Sequence, residues 1–139
     1  MWFIYNGKFF KENEAVIGVT NRGIRYGDGL FETMKMLDGN IMFANEHFAR
    51  LWKGLQTLQF DIPKHFTPEK LTEEIIALST KNQLAKAARL RLTIVRGNGG
   101  LYDPTNHQPN YIIETWPLPE SSNKLNNNGL VLGIFDDVK

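Results

Sequence analysis

Arg22-Gly-Ile-Arg-Tyr-Gly-Asp-Gly-Leu-Phe-Glu-Thr-Met-Lys-Met-Leu37 is a glycine-punctuated loop that feeds a strand, and the reading of the whole chain turns on it. Gly23, Gly27 and Gly29 let the backbone turn sharply or come close to a ligand. In the strand, alternation sorts Leu30, Glu32, Met34 and Met36 onto one face and Phe31, Thr33 and Lys35 onto the other. Leu30, Met34 and Met36 face a core on this pattern. An aromatic, a hydroxyl and a cation on the opposite face suit a surface that meets a second body, although a solvated sheet face beside an ordinary loop has the same pattern.

Antiparallel elements flank this stretch. Upstream, Trp2 to Tyr5 and Lys8 to Phe10 are strands joined by Asn6-Gly7, a strong hairpin signal. Downstream, Asp38-Gly39-Asn40 turns the chain into Ile41-Met42-Phe43, which pairs back onto the strand of Phe31. Asn45 then caps a helix running to about Gln59, with Phe48, Leu51, Trp52, Leu55 and Leu58 as its apolar stripe. His47, Arg50 and Gly54 lie on a different face. A glycine there costs a helix about 1 kcal/mol relative to alanine, so the position hints at close approach by something else; a surface arginine beside a tolerated defect is the plainer reading. Thr67-Pro68 opens a second amphipathic helix marked by Leu71, Ile75 and Leu78 and ending near Lys81-Asn82.

From Ala88 the period is two: Ala88, Leu90, Leu92 and Ile94 face one way, Arg89, Arg91 and Thr93 the other, and Arg96 closes the strand. Gly97-Asn98-Gly99-Gly100 begins a long connection to the next strand, Tyr111 to Trp116. It is no dinucleotide fingerprint, because the third spaced glycine and the following helix are missing. Loops of this length are usually functional or mobile. The expected fold is α+β, an antiparallel sheet with two helices packed on one face. Residues 1–117 are expected to form this amino-terminal domain, 118–128 a linker, and 129–139 the first strand of a truncated second domain.

Composition narrows the function classes. The chain has 139 residues, a formal net charge of +1 and no cysteine. The near-zero charge gives no general case for nucleic acid or an anionic membrane surface, and the missing thiols exclude disulfides and thiolate zinc sites. No apolar run approaches the roughly 20 residues of a membrane span, so cytoplasmic is the default address. His47, His65 and His107 are too scattered for a metal motif. Ser79, Ser121 and Ser122 are the serines, none in a nucleophile elbow. Arg89 and Arg91 beside Tyr111 or Trp116 lack the wider basic patch that nucleic acid needs, so pairing with carboxylates is the expected arrangement.

Arg22-Gly-Ile-Arg-Tyr-Gly-Asp-Gly-Leu-Phe-Glu-Thr, then Glu46-His47-Phe-Ala-Arg50-Leu51, then Val95-Arg96-Gly97-Asn98-Gly99-Gly100 resemble, in order and at suitable separation, the amino-terminal half of the class IV (fold type IV) pyridoxal-phosphate enzymes. That family contains branched-chain aminotransferases, D-amino acid aminotransferases and aminodeoxychorismate lyases. The resemblance implies the small amino-terminal domain of a two-domain homodimeric enzyme acting on an amino-acid-like substrate, with pyridoxal phosphate as cofactor and neither metal, nucleic acid nor membrane as partner. It implies that Arg50 binds the cofactor phosphate and that Phe31, Thr33 and Lys35 wall the substrate pocket. Tyr102 and His107 are the candidates from the long loop. No residue of the chain is assigned the Schiff-base role; the lysine is expected beyond Lys139, and the chain alone is then inactive. The sequence lacks the Arg-x-His pair of the D-amino acid enzymes, and Gly99-Gly100-Leu101-Tyr102 leans toward the lyases' Gly-Gly-Arg-Gly-Tyr, which leaves transamination and lyase chemistry both open. A non-catalytic binding or dimerisation module on the same fold is the alternative.

Overall fold

The computed structural model describes residues 1–119, 125 and 127–134. In chain order the elements are β1 (Trp2–Tyr5), β2 (Lys8–Lys11), α1 (Arg22–Tyr26), β3 (Gly29–Leu37), β4 (Asn40–Ile41), α2 (Ala44–Thr57), α3 (Pro68–Lys81), β5 (Ala87–Arg96) and β6 (Pro109–Pro117). The strands form one sheet in the order β2-β1-β6-β5-β3-β4, with every pairing antiparallel.

Both tight hairpins follow from their turn residues. Asn6 and Gly7 have φ 48° and 78°, and Asp38 and Gly39 have φ 47° and 77°, the paired left-handed conformations whose twist matches that of the flanking strands. β4 is shorter than expected and pairs only with Met36 and Leu37. Among the described residues the Gly29 to Lys35 stretch of β3 therefore has one edge without a strand, and α2 packs against β3.

Expected and observed structure differ at three places. The glycine-rich loop contains a helical turn, α1, capped by the Asn21 side chain accepting from the Gly23 N–H and ended by Gly27 at φ 65°. α2 starts before Asn45, with Phe43 at its cap in the left-handed region and no side-chain cap bond. The segment expected as a buried strand near the end lies outside any strand as far as Ile134, with Leu130, Val131, Leu132 and Ile134 exposed; a strand needs a neighbour, and the described residues give it none. The rest of that segment and most of the expected linker fall outside the described residues. Thr67 caps α3 as expected, its Oγ1 accepting from the Lys70 N–H.

Met34, Met36, Leu90, Leu92, Ile94 and Ile113 from the sheet meet Phe48, Leu51 and Leu55 of α2 and Leu71, Ile75 and Leu78 of α3 in one core. Leu58, expected in the stripe of α2, is half-exposed just past the helix end. The approach that Gly54 permits is made by Leu30 of β3: a Cβ at Gly54 would lie 2.7 Å from Leu30 Cδ1. This glycine serves helix packing.

Gly29 is less forgiving. A Cβ there would stand 2.3 Å from the Ile94 carbonyl oxygen across the β3–β5 pair, and backbone cannot swing aside as a side chain can. Gly29→Ala is expected to lower stability by about 1–3 kcal/mol. The urea midpoint measures this; an unchanged midpoint would mean that the strands part here without cost.

Candidate functional site

The sheet face away from α2 and α3 carries Phe31, Thr33 and Lys35 of β3 opposite Thr93, Arg91 and Arg89 of β5, in that order. Beyond β5 the same rows continue with Ile112, Glu114 and Trp116 of β6. The arginines stack on rings. Arg91 lies 3.9 Å from the Phe31 ring centroid and its Nε donates to Thr93 Oγ1, while Arg89 lies 6.0 Å from that of Trp116. Among the described residues neither arginine makes an ion pair with a carboxylate, which corrects the expected pairing. Burial pushes the Glu114 carboxyl up, and the charge of nearby Arg91 offsets part of this.

On the helix-facing side, alternation places a carboxylate among apolar neighbours. Glu32 is 5% exposed, and a charge so placed needs partners. α2 supplies them one turn apart. Arg50 donates from Nε to Glu32 Oε1 at 2.7 Å and from Nη2 to Oε2 at 2.6 Å. His47 Nδ1 lies 2.7 Å from Oε2, and since an ionised carboxylate only accepts, the ring donates there. Burial alone would push the Glu32 carboxyl up, but hydrogen bonds and charges from Arg50 and His47 outweigh it and hold the group below the usual carboxylate range.

This arrangement fixes the pose of Arg50. The guanidinium is planar, and its Nε and Nη2 edge is taken, so its Nη1 end is left to meet an anion. The side chain is 66% exposed. Next to this cluster a cleft of about 520 Å³ wraps the free edge of β3, lined among others by Thr33 and Lys35 of the open face, Arg89, Phe43 and His47.

The structure thus brings Thr33 and Lys35 together with His47, whose carboxylate partner also holds Arg50. Phe31 lies in a second depression with Arg91 and the glycines 23, 27 and 29. Tyr102, 92% exposed, and His107 belong to the 97–108 loop, and neither lines the cleft. His107 Nδ1 lies 3.0 Å from Arg96 Nη1 and 2.9 Å from the Gln59 carbonyl oxygen, so this ring is engaged within the fold. Sequence reasoning missed Glu32, although a carboxylate in a core-facing register is itself a signal that a partner exists.

A pH dependence follows. Because the folded pKa of Glu32 lies below its ordinary value of 4.5, the folded state binds this proton less readily than the unfolded chain. The stabilisation is complete above about pH 4.5 and lost as pH falls through the lowered value. Glu32→Gln is therefore expected to flatten the fall in thermal midpoint below about pH 4.5. Parallel acid limbs for both proteins would contradict the assignment.

Comparison with known proteins sets this geometry in a family. The family model for amino-transferase class IV matches residues 29–136. A putative branched-chain-amino-acid aminotransferase of Methanocaldococcus jannaschii is 34% identical over 116 residues, covering 82% of this chain and 39% of that protein. A D-alanine aminotransferase of Bacillus licheniformis is 26% identical, covering 100% of this chain and 48% of its own length. The chain thus spans less than half the length of these curated relatives. Among solved structures, the branched-chain aminotransferase of Thermoproteus uzoniensis with norvaline superposes with a TM-score of 0.74 at 21% identity, covering 86% of this chain and 41% of that one, and shows the fold. The T.th. branched-chain amino acid aminotransferase with pyridoxamine 5'-phosphate gives the same TM-score, 0.74, at 25% identity, covering 86% and 41%. A family match that starts at the first residue of β3 and runs past the end of β6 takes in the open face, the cleft and the Glu32–Arg50 pair alike, and by it the chain belongs to the class IV aminotransferases.

Proposed function

We propose that this chain is the amino-terminal, substrate-facing part of a pyridoxal-phosphate-dependent class IV aminotransferase, with Arg50 as the anchor of the cofactor phosphate. The observation that carries this is the exposed Arg50 fork, held on one edge by buried Glu32 and open at the other. A permanently charged planar donor, already oriented, loses little freedom when it meets a phosphate. The residues present fit the group, and the structural neighbour solved with pyridoxamine 5'-phosphate supports the assignment.

When bound, pyridoxal phosphate supplies an electron sink for the bond that breaks at the substrate's Cα. The chain's own residues bind and orient. Arg50 holds the phosphate; Glu32 keeps Arg50 in place and is itself kept ionised by His47 and Arg50. Thr33 and Lys35 line one wall of the cleft, Phe31 with Arg91 stacked on it lines another part of the same sheet face, exposed Tyr102 reaches substrate in the site of a partner copy, and His107 braces the long loop that carries it. This face, with Phe31 55% exposed, fits a second domain carrying the Schiff-base lysine, a partner copy in a homodimer, or both. On this reading residues 118–128 link the two domains and 129–139 begin the second.

Transamination is favoured over removal of pyruvate from aminodeoxychorismate, because the matched relatives are named aminotransferases. The test is to assay the full-length protein both for amino-group exchange between amino acids and 2-oxo acids and for 4-aminobenzoate formation. Exchange alone supports the proposal. Formation of 4-aminobenzoate would make the protein a lyase, and absence of bound cofactor would make the chain a binding module.

A further inference from the structure

Asp28 sits where the glycine-rich stretch enters β3, and its carboxylate is the meeting point of two buried arginines far apart in sequence. Arg22 Nε donates to Oδ2 at 2.7 Å, and Arg96 Nε donates to Oδ1 at 3.0 Å and Oδ2 at 3.2 Å. Arg22 is 6% exposed and Arg96 4%. Burial by itself pushes the Asp28 carboxyl up, yet the hydrogen bonds and charges of both arginines hold it below the usual range.

Each arginine spends the rest of its fork on the surroundings of the 97–108 loop, and the two reach different limbs. Arg22 Nη1 donates to the Gly100 carbonyl at 3.0 Å, and its Nη2 lies 3.4 Å from that of Tyr102. Arg96 Nη1 meets His107 Nδ1 on the returning limb at 3.0 Å, and its Nη2 donates to the Leu58 carbonyl just past α2. Hydrogen bonds from a charged donor are roughly twice as strong as neutral ones, so this is a firm grip on a loop of twelve residues. The outward limb turns sharply at Gly100, where φ is 76° and a side chain would run into the Asp103 carbonyl.

We propose that Asp28 is a positioning residue which, by setting Arg22 and Arg96, fixes both limbs of the 97–108 loop and so the place where Tyr102 stands. Its link to catalysis rests on the function proposed above, with Tyr102 facing substrate. Asp28 touches neither substrate nor cofactor on this account; it acts through the loop.

The test uses Asp28→Asn and Arg22→Lys in the full-length enzyme. The first removes the carboxylate's charge. The second keeps a cation beside Asp28, still paired with Arg96, but removes the planar fork through which Asp28 acts on the outward limb, so an unchanged loop in it refutes the proposal even if Asp28→Asn does not fold. Chymotrypsin cleavage after Tyr102, identified by fragment mass, reports the freedom of the loop. Both variants are expected to be cut there at least about tenfold faster, with cleavage within β3 unchanged, since the charged hydrogen bonds lost are worth about that factor. With leucine or D-alanine as amino donor, KM is expected to rise several-fold while kcat and the cofactor's visible absorbance stay within about twofold, as for lost substrate positioning. Unchanged cleavage at Tyr102, or an equal rise throughout the chain, overturns the loop assignment; faster cleavage with unchanged KM overturns the positioning role. An enzyme that holds no pyridoxal phosphate refutes the proposed function instead, and the cleavage rates then decide the loop assignment by themselves.

Discussion

Arg50→Ala is expected to weaken pyridoxal phosphate binding by the full-length enzyme roughly tenfold to a hundredfold, the usual cost of losing a charge-assisted hydrogen bond. Titration followed by the cofactor's visible absorbance measures it. Arg50 lies off the buried face of α2, formed by Phe48, Leu51 and Leu55, so its removal leaves the core packed. It does strip Glu32 of two of its hydrogen bonds. The cofactor-free variant is therefore expected to melt lower at neutral pH and to recover toward the unchanged protein in acid, where Glu32 takes up a proton and no longer needs a cation. Arg50→Lys should fall between the two, because an ammonium keeps the charge but cannot hold carboxylate and phosphate on two edges of one plane.

Leu92→Ala is the largest expected loss of stability. Leu92 lies in the centre of the sheet, in a cross-strand row with Glu32 of β3, Ile113 of β6 and Ile4 of β1. It is fully buried, as are Ile4 and Ile113. Deleting its outer carbons leaves a cavity between the sheet and the two helices packed on it, and such changes cost about 2–5 kcal/mol. Denaturant unfolding of the variant gives the number. A loss below about 1 kcal/mol would mean that the row repacks freely and that the sheet does not hold Glu32 in a rigid wall.

Local signals made most of the fold legible. Asn6-Gly7 and Asp38-Gly39 demand the turns they make, Thr67-Pro68 caps α3 where it reads as a cap, and alternation in β3 and β5 assigns the faces correctly. α1 escaped because five residues are too short to show a helical period, although Asn21 before it and Gly27 after it are ordinary start and stop residues. The start of α2 was misread because Asn45 is a good cap residue, whereas Phe43 takes the left-handed cap conformation for which its side chain has no preference. At the candidate site the sequence motif singles out Arg50 but not the carboxylate that the structure pairs with it. Glu32 and Arg50 are eighteen residues apart on different elements, a distance that no periodicity spans. The Asp28 cluster is hidden in the same way, since Arg96 lies 68 residues from it. For Arg89 and Arg91, the aromatic rings of Trp116 and Phe31 were the available partners, a choice that only the sheet register reveals.

The central claim is that Glu32 serves the cofactor through Arg50. A double-mutant cycle tests it most directly: pyridoxal phosphate affinity measured for the unchanged full-length enzyme, Glu32→Gln, Arg50→Ala and the pair together. The account predicts that Glu32→Gln weakens binding on its own and that adding it to Arg50→Ala costs almost nothing more, because an orienting residue has no effect once the group it orients is gone. Full additivity of the two losses, or unchanged affinity in Glu32→Gln, would contradict it.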